Sequence, residues 1–155
     1  MTEQHFTEQT KALIDSLKTI CAHYGLGNDG NEFKIITQAF LYKFLNDKYD
    51  FEVKQIRKEK PDELVEFVNM DIEGKTAVLK PEHSIKYLSE RQNGADFAKL
   101  FDDTLTDIAA CNAELFSVKT EGGTKIVLFD RISQYITDES RRDDFCRALI
   151  SKLAS

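Results

Sequence analysis

No stretch of this 155-residue chain runs for about 18 apolar residues, so a membrane-spanning helix is not expected. The first residues, Met1 to Glu8, are polar and acidic. They lack the basic and apolar regions of a secretory leader. Cysteine is sparse: Cys21, Cys111 and Cys146 are an odd, widely spaced set with no Cys-x-x-Cys. Reduced thiols of a cytoplasmic protein are the simplest account. His5, His23 and His83 stand far apart, with no His-Glu-x-x-His and no cysteine at ligand spacing, so no metal site is expected. Positive charge is also short. Lys and Arg number 21 against 27 Asp and Glu, a net charge of −6. A free-standing, non-specific DNA binder needs a basic footprint to displace counterions, so that class is disfavoured. A local basic patch, or a domain that meets DNA beside other subunits, is not.

What remains is an ordinary globular composition, 41% hydrophobic and 31% charged, long enough for one domain over 1–155 with a real core. The longest apolar-rich run is Glu32 to Asp50. Phe33, Ile36, Phe40 and Phe44 recur at helical spacing on one face. Ile35, Tyr42, Leu45 and Tyr49 fall roughly opposite. A helix apolar on two faces is expected to be buried between neighbours, with a partner-binding face as the alternative. The pattern therefore predicts a mainly α fold, a compact multi-helix bundle around a central buried helix at about 32–50.

Other segments fit around it. Leu13, Leu17, Ile20 and Tyr24 stripe a first helix from Thr7, the candidate N-cap, to Tyr24. Gly25 ends that helix where a left-handed residue is wanted, and Asp29 or Asn31 is placed to cap the next. Pro61 stops whatever continues past Asp50. A short helix is predicted over 62–70, an extended piece at 77–79, and a helix from Pro81 to about Gln92. Phe97, Leu100, Phe101, Leu105 and Ile108 predict a strong amphipathic helix over 96–112. The period then changes: 115–118 and 126–129 around Gly122-Gly123 read as a small β-hairpin at about 115–129. A short helix over 130–136 precedes a last one, capped by Thr137, with Phe145, Leu149, Ile150 and Leu153 inward.

The chemistry-bearing motifs are few. Gly25-Leu26-Gly27-Asn28-Asp29-Gly30 matches Gly-x-Gly-x-x-Gly, but a helix precedes it where a cofactor fold needs a strand, so the glycines read as caps and turns. Gly122-Gly123-Thr124-Lys125 lacks phosphate-loop spacing, and no nucleophile arrangement is present. The acid pairs Asp102-Asp103 and Asp143-Asp144 read as solvated helix surface. No catalytic, cofactor-binding or metal-binding residue is nominated. Lys54, Arg57, Lys58 and Lys60, with one acid among them, are the best candidates for phosphate contacts. Arg141-Arg142 is weaker, because two acids follow at once.

Phe33, the run Phe40 to Asp47, Lys86 to Arg91, and Phe97 through Asp102-Asp103-Thr104-Leu105 resemble, in order and spacing, the N-terminal helical region of the M subunit of type I restriction–modification DNA methyltransferases. The likeness covers nearly the whole chain. In that family this region precedes a catalytic domain that binds S-adenosylmethionine and methylates adenine at N6. The family's Asn/Asp-Pro-Pro-Tyr/Phe loop has no counterpart here, since the two prolines, Pro61 and Pro81, stand apart. The resemblance thus implies an assembly and DNA-clamping domain without the catalytic one, inactive by itself and without a cofactor of its own. It further implies a specificity (S) subunit, a second M subunit and DNA as partners, sometimes with a restriction subunit. The alternative is a free-standing helical protein-interaction adaptor unrelated to DNA.

Overall fold

The computed structural model describes residues 3–27, 29–72, 76–112, 117–119, 125–127 and 129–155. Among them are six α-helices: α1 (Glu3–His23), α2 (Gly30–Glu59), α3 (Val65–Ile72), α4 (Ile85–Glu90), α5 (Phe97–Cys111) and α6 (Arg142–Ala154). Short 3-10 turns stand at Pro81–His83, Ile132–Tyr135 and Glu139–Arg141. No helix among the described residues is long and apolar enough to cross a membrane. The predicted hairpin at about 115–129 lies mostly outside the described residues. Within it, Ser117–Lys119 and Lys125–Val127 run antiparallel, with Ser117 opposite Val127.

Local chemistry sets the helix ends. Gly25 holds φ +84, and behind it the Leu26 amide donates to Cys21 O at 2.8 Å and the Gly25 amide to Ala22 O at 3.1 Å. These two bonds form a Schellman closure, which needs a left-handed residue where Gly25 stands. Asp29 then caps α2, its carboxylate accepting from the Asn31 amide at 2.8 Å. Thr7 is not a cap, because α1 already begins at Glu3. The helix from Pro81 is broken in two. A 3-10 turn at Pro81–His83 gives way to Ser84, whose hydroxyl accepts from the Tyr87 amide and starts α4. Thr137 likewise yields to Asp138, which accepts from the Ser140 amide ahead of α6.

The core is centred on α6 rather than α2. Phe145, Cys146, Leu149, Ile150 and Leu153 are fully buried, and α6 packs against α1, α2, α4 and α5. The spacing of these five residues spreads apolar surface over a broad sector, which lets one short helix serve several neighbours. From α5, Phe97, Phe101, Leu105 and Ile108 face the same core. From α1 come Leu17, Ile20 and Cys21.

The expectation of a central helix buried on both faces is corrected by the structure. α2 runs unbroken to Glu59 and buries one face only: Ile35, Gln38, Ala39, Tyr42 and Leu45. Opposite them, Phe33 is 75% exposed, Phe44 52% and Phe51 54%, with Phe40 half-buried. Periodicity shows that both faces are apolar. It does not show whether two layers of neighbours exist to cover them, and here one layer does.

Candidate functional site

Lys54, Arg57 and Lys58 occupy the last turns of α2, and Lys60 is its C-cap. The sequence brings them together, but the fold engages most of their charge. The Lys54 ammonium lies 2.8 Å from Asp50. Lys60 pairs with Asp71 of α3 at 3.3 Å. Arg57 donates to the Glu63 carbonyl, closing the α2–α3 connector. Lys58 is exposed and makes no ion pair among the described residues. Exposed pairs such as Lys54–Asp50 are worth little and exchange readily, so the cluster can still present cations to a phosphate backbone. Arg141 and Arg142 hold structure instead. Arg141 lies over the Tyr24 ring, 4.5 Å from its centroid, and Arg142 donates to Ile136 O at 2.9 Å.

The larger feature is one that sequence reasoning reads first as core, with a partner-binding face as the alternative. Phe33, Phe40, Phe44 and Phe51 form one line along the solvent side of α2, because their spacings of seven and four return to nearly the same helix direction. Two hollows open beside this line, against α1. One, of about 510 Å³, is lined by Ile14, Phe33, Ile36 and Phe40. The other, of about 640 Å³, is lined by Leu13, Phe40, Phe44 and Lys48. A second apolar group stands on the outer side of α3 and the residue before it: Leu64, Val65, Phe67 and Met70 are all at least half exposed. The sequence carries the phenylalanine line as a stripe, but an apolar stripe at helical spacing reads first as core.

The polar groups that look catalytic by residue type are structural by geometry. His83 is buried. Its Nδ1 accepts from the Lys80 amide at 3.1 Å, so Nε2 carries the proton toward Asp107 at 2.6 Å. Tyr42 donates to His83 O at 2.5 Å, which ties α2 to this turn. Among the described residues both ring nitrogens are thus engaged by structural partners. Asp102 is no solvated acid: it is buried, accepting from the Ser133 amide at 3.1 Å and from the Ser133 hydroxyl. Burial pushes its carboxyl above the usual aspartate range. Asp143 also leaves solvent duty, accepting from the Ala98 amide at 2.8 Å at the start of α5, where Asp96 offers no side-chain cap. Gln38 exchanges two hydrogen bonds with Asp130, at 2.8 and 3.0 Å, holding the approach to the Ile132–Tyr135 turn. Gly25 and Gly27 of the glycine motif stand in the α1–α2 connector already described, and Gly30 opens α2.

The exposed phenylalanine line can bind by apolar contact, and the basic helix end by charge. Among the described residues no group of three or more His, Cys, Asp or Glu side chains is arranged to hold a metal ion. No family model, curated protein or solved structure matches this chain.

Proposed function

We propose that this is the assembly and DNA-clamping domain of a type I restriction–modification adenine-N6 methyltransferase M subunit, cytoplasmic and non-catalytic by itself. The ordered motifs along the chain motivate the family. The observation that carries the assembly role is the unpartnered apolar face of α2: Phe33, Phe44 and Phe51 are each more than half exposed on a single line. Contiguous exposed apolar surface of this kind marks protein-interaction sites. In this reading the domain includes a small β-hairpin at about 115–129 and meets a specificity subunit, a second M subunit and DNA. A restriction subunit joins that assembly in the family. S-adenosylmethionine would belong to the catalytic domain of the parent protein, with no residue here assigned to it. Lys54, Arg57, Lys58 and Lys60 add DNA affinity rather than sequence readout.

The second reading, a free-standing helical adaptor, is favoured by one observation: Asp50, Asp71 and a connector carbonyl already engage three of the four basic residues. Reading the gene past the codon for Ser155 separates the two. An Asn/Asp-Pro-Pro-Tyr/Phe motif downstream supports the methyltransferase reading. A stop codon there, with no methyltransferase gene adjoining, moves the assignment to the adaptor.

A further inference from the structure

Lys80, His83, Asp107 and Cys111 meet where the last turn of α5 lies against the segment before α4. Asp107 and Cys111 stand one helical turn apart on α5, so they share a face. The Cys111 Sγ lies 4.0 Å from Asp107 Oδ1. The other oxygen of that carboxylate accepts from His83 Nε2 at 2.6 Å and faces the Lys80 ammonium at 3.7 Å. Lys80 also hydrogen-bonds Cys111 itself. The backbone that carries this ammonium is anchored on both sides. Asn112, next to Cys111, donates to Val78 O at 3.0 Å and accepts from the Val78 amide at 2.9 Å. The Lys80 amide donates to His83 Nδ1 at 3.1 Å, and Leu79 beside it is buried. The fold thus holds a cation against a thiol carried by a different segment.

The other two thiols are unlike this one. Cys21 and Cys146 are buried. Burial pushes the Cys21 thiol up to about 11 and raises that of Cys146 well above its ordinary value. Buried thiols of this kind stay protonated and inert. Cys111 is exposed, with Lys80 against it. Cys111 first, and then Asp107, hold the Lys80 ammonium above the ordinary lysine value. The carbonyl end of α5 and the Asp107 carboxylate disfavour a thiolate, and Lys80 is the cation that offsets them. We propose that Cys111 is a modification site, a thiol that peroxides oxidise to sulfenic acid with the Lys80 ammonium as its positive partner. The thiolate sulfur attacks one peroxide oxygen, an S–O bond forms and the O–O bond breaks. Sulfur is oxidised and peroxide reduced, and the departing hydroxide takes up a proton to leave as water. Overall, one thiol and one hydrogen peroxide give one sulfenic acid and one water. Asp107, itself fixed by His83, keeps Lys80 alongside. This inference is independent of the methyltransferase reading.

The test treats the full chain with limited hydrogen peroxide beside a cyclic diketone that traps sulfenic acid, and maps the adduct by peptide mass. Adduct on Cys111 ahead of Cys21 and Cys146 is expected. Adduct on either buried cysteine first, or none on Cys111, overturns the proposal. The rate at Cys111 is then compared in Lys80→Met and Lys80→Arg. At low salt and neutral pH, Lys80→Met should slow the reaction by about two- to threefold. That is the size an exposed charge partner gives once the lower nucleophilicity of a stabilised thiolate is counted. Lys80→Arg should restore the rate. In about 1 M salt the Debye length falls to about 3 Å, so the gap between wild type and Lys80→Met should narrow. Equal rates at low salt, or a gap unchanged by salt, overturn the pairing of Lys80 with the thiol. The Lys80 side chain is half exposed, so thermal unfolding of both variants should match wild type.

Discussion

At the residue scale, Asp102 shows how a surface-looking acid becomes a structural one. Its carboxylate holds the Ser133 amide and hydroxyl at the turn before α6. Asp102→Asn should cost about 1–3 kcal/mol, because buried partners lose a matched acceptor. Burial raises its folded-state value above the ordinary 3.8. The contribution of Asp102 is therefore complete below the ordinary value and declines as pH rises through the folded one. Asp103, held down by hydrogen bonds from Lys99 and Arg131, works in the opposite direction: its contribution is lost as pH falls. Asp107, held down by the hydrogen bond from His83, does the same. Urea unfolding at about pH 4 and about pH 7 separates these effects, since Asp103 and Asp107 are common to wild type and variant. The advantage of wild type over Asp102→Asn should be larger at the acid end. An advantage that grows toward neutrality would show that hydrogen bonds outweigh burial at this site. Gly25 gives a second residue-scale prediction. At φ +84, with nothing near a prospective Cβ, a side chain there meets backbone strain and no clash. Gly25→Val should destabilise the fold by roughly 1 kcal/mol or more, measured by the same unfolding titration.

At the element scale, α2 and α6 divide the work differently. α6 is the packing hub and α2 is half core, half surface. Phe145→Ala on α6 should cost about 3–5 kcal/mol, the range for emptying a buried aromatic site. Phe33→Ala on α2 should change monomer stability by less than about 0.5 kcal/mol, since an exposed ring has little to lose. Both are read by chemical denaturation at a concentration where the chain is monomeric. Similar costs at the two positions would mean that the outer face of α2 is covered. Element boundaries follow capping chemistry, some of it distant in sequence. α5 begins with Asp96 at φ 59 and without a cap of its own, and Asp143 of α6 supplies the missing acceptor.

At the scale of the whole molecule, an acidic chain carries one basic helix end. The net charge of −6 opposes approach to DNA, so the isolated domain should bind duplex weakly. Within an assembled methyltransferase, changing Lys54, Arg57, Lys58 and Lys60 to Gln should weaken binding about equally for cognate and unrelated duplexes. The log–log salt slope should become shallower by about one unit for each phosphate that the variant no longer neutralises. A salt titration of wild-type and variant complexes checks this, once both are seen to assemble. Unchanged slope and affinity would leave the cluster as solvated surface. Failure to assemble would make it part of a subunit interface.

The sequence by itself determined where most helices lie. Apolar spacing of three and four, Gly25, Asp29 and the two prolines are local signals, and a helix forms or ends on interactions within a few residues. The 3.6-residue period also determined which residues share a face of α2. Tertiary structure alone decided which of those faces is covered, because coverage depends on how many neighbours the chain can bring alongside. It decided that α6 sits at the centre, that Asp102 and His83 are buried with partners 31 and 24 residues away, and that Asp143 caps a helix 45 residues before it. It also decided how the basic cluster spends part of its charge, since Asp71 reaches Lys60 only after α3 folds back beside the end of α2. Each of these needs distant segments to meet, and local periodicity carries no information about which segments do.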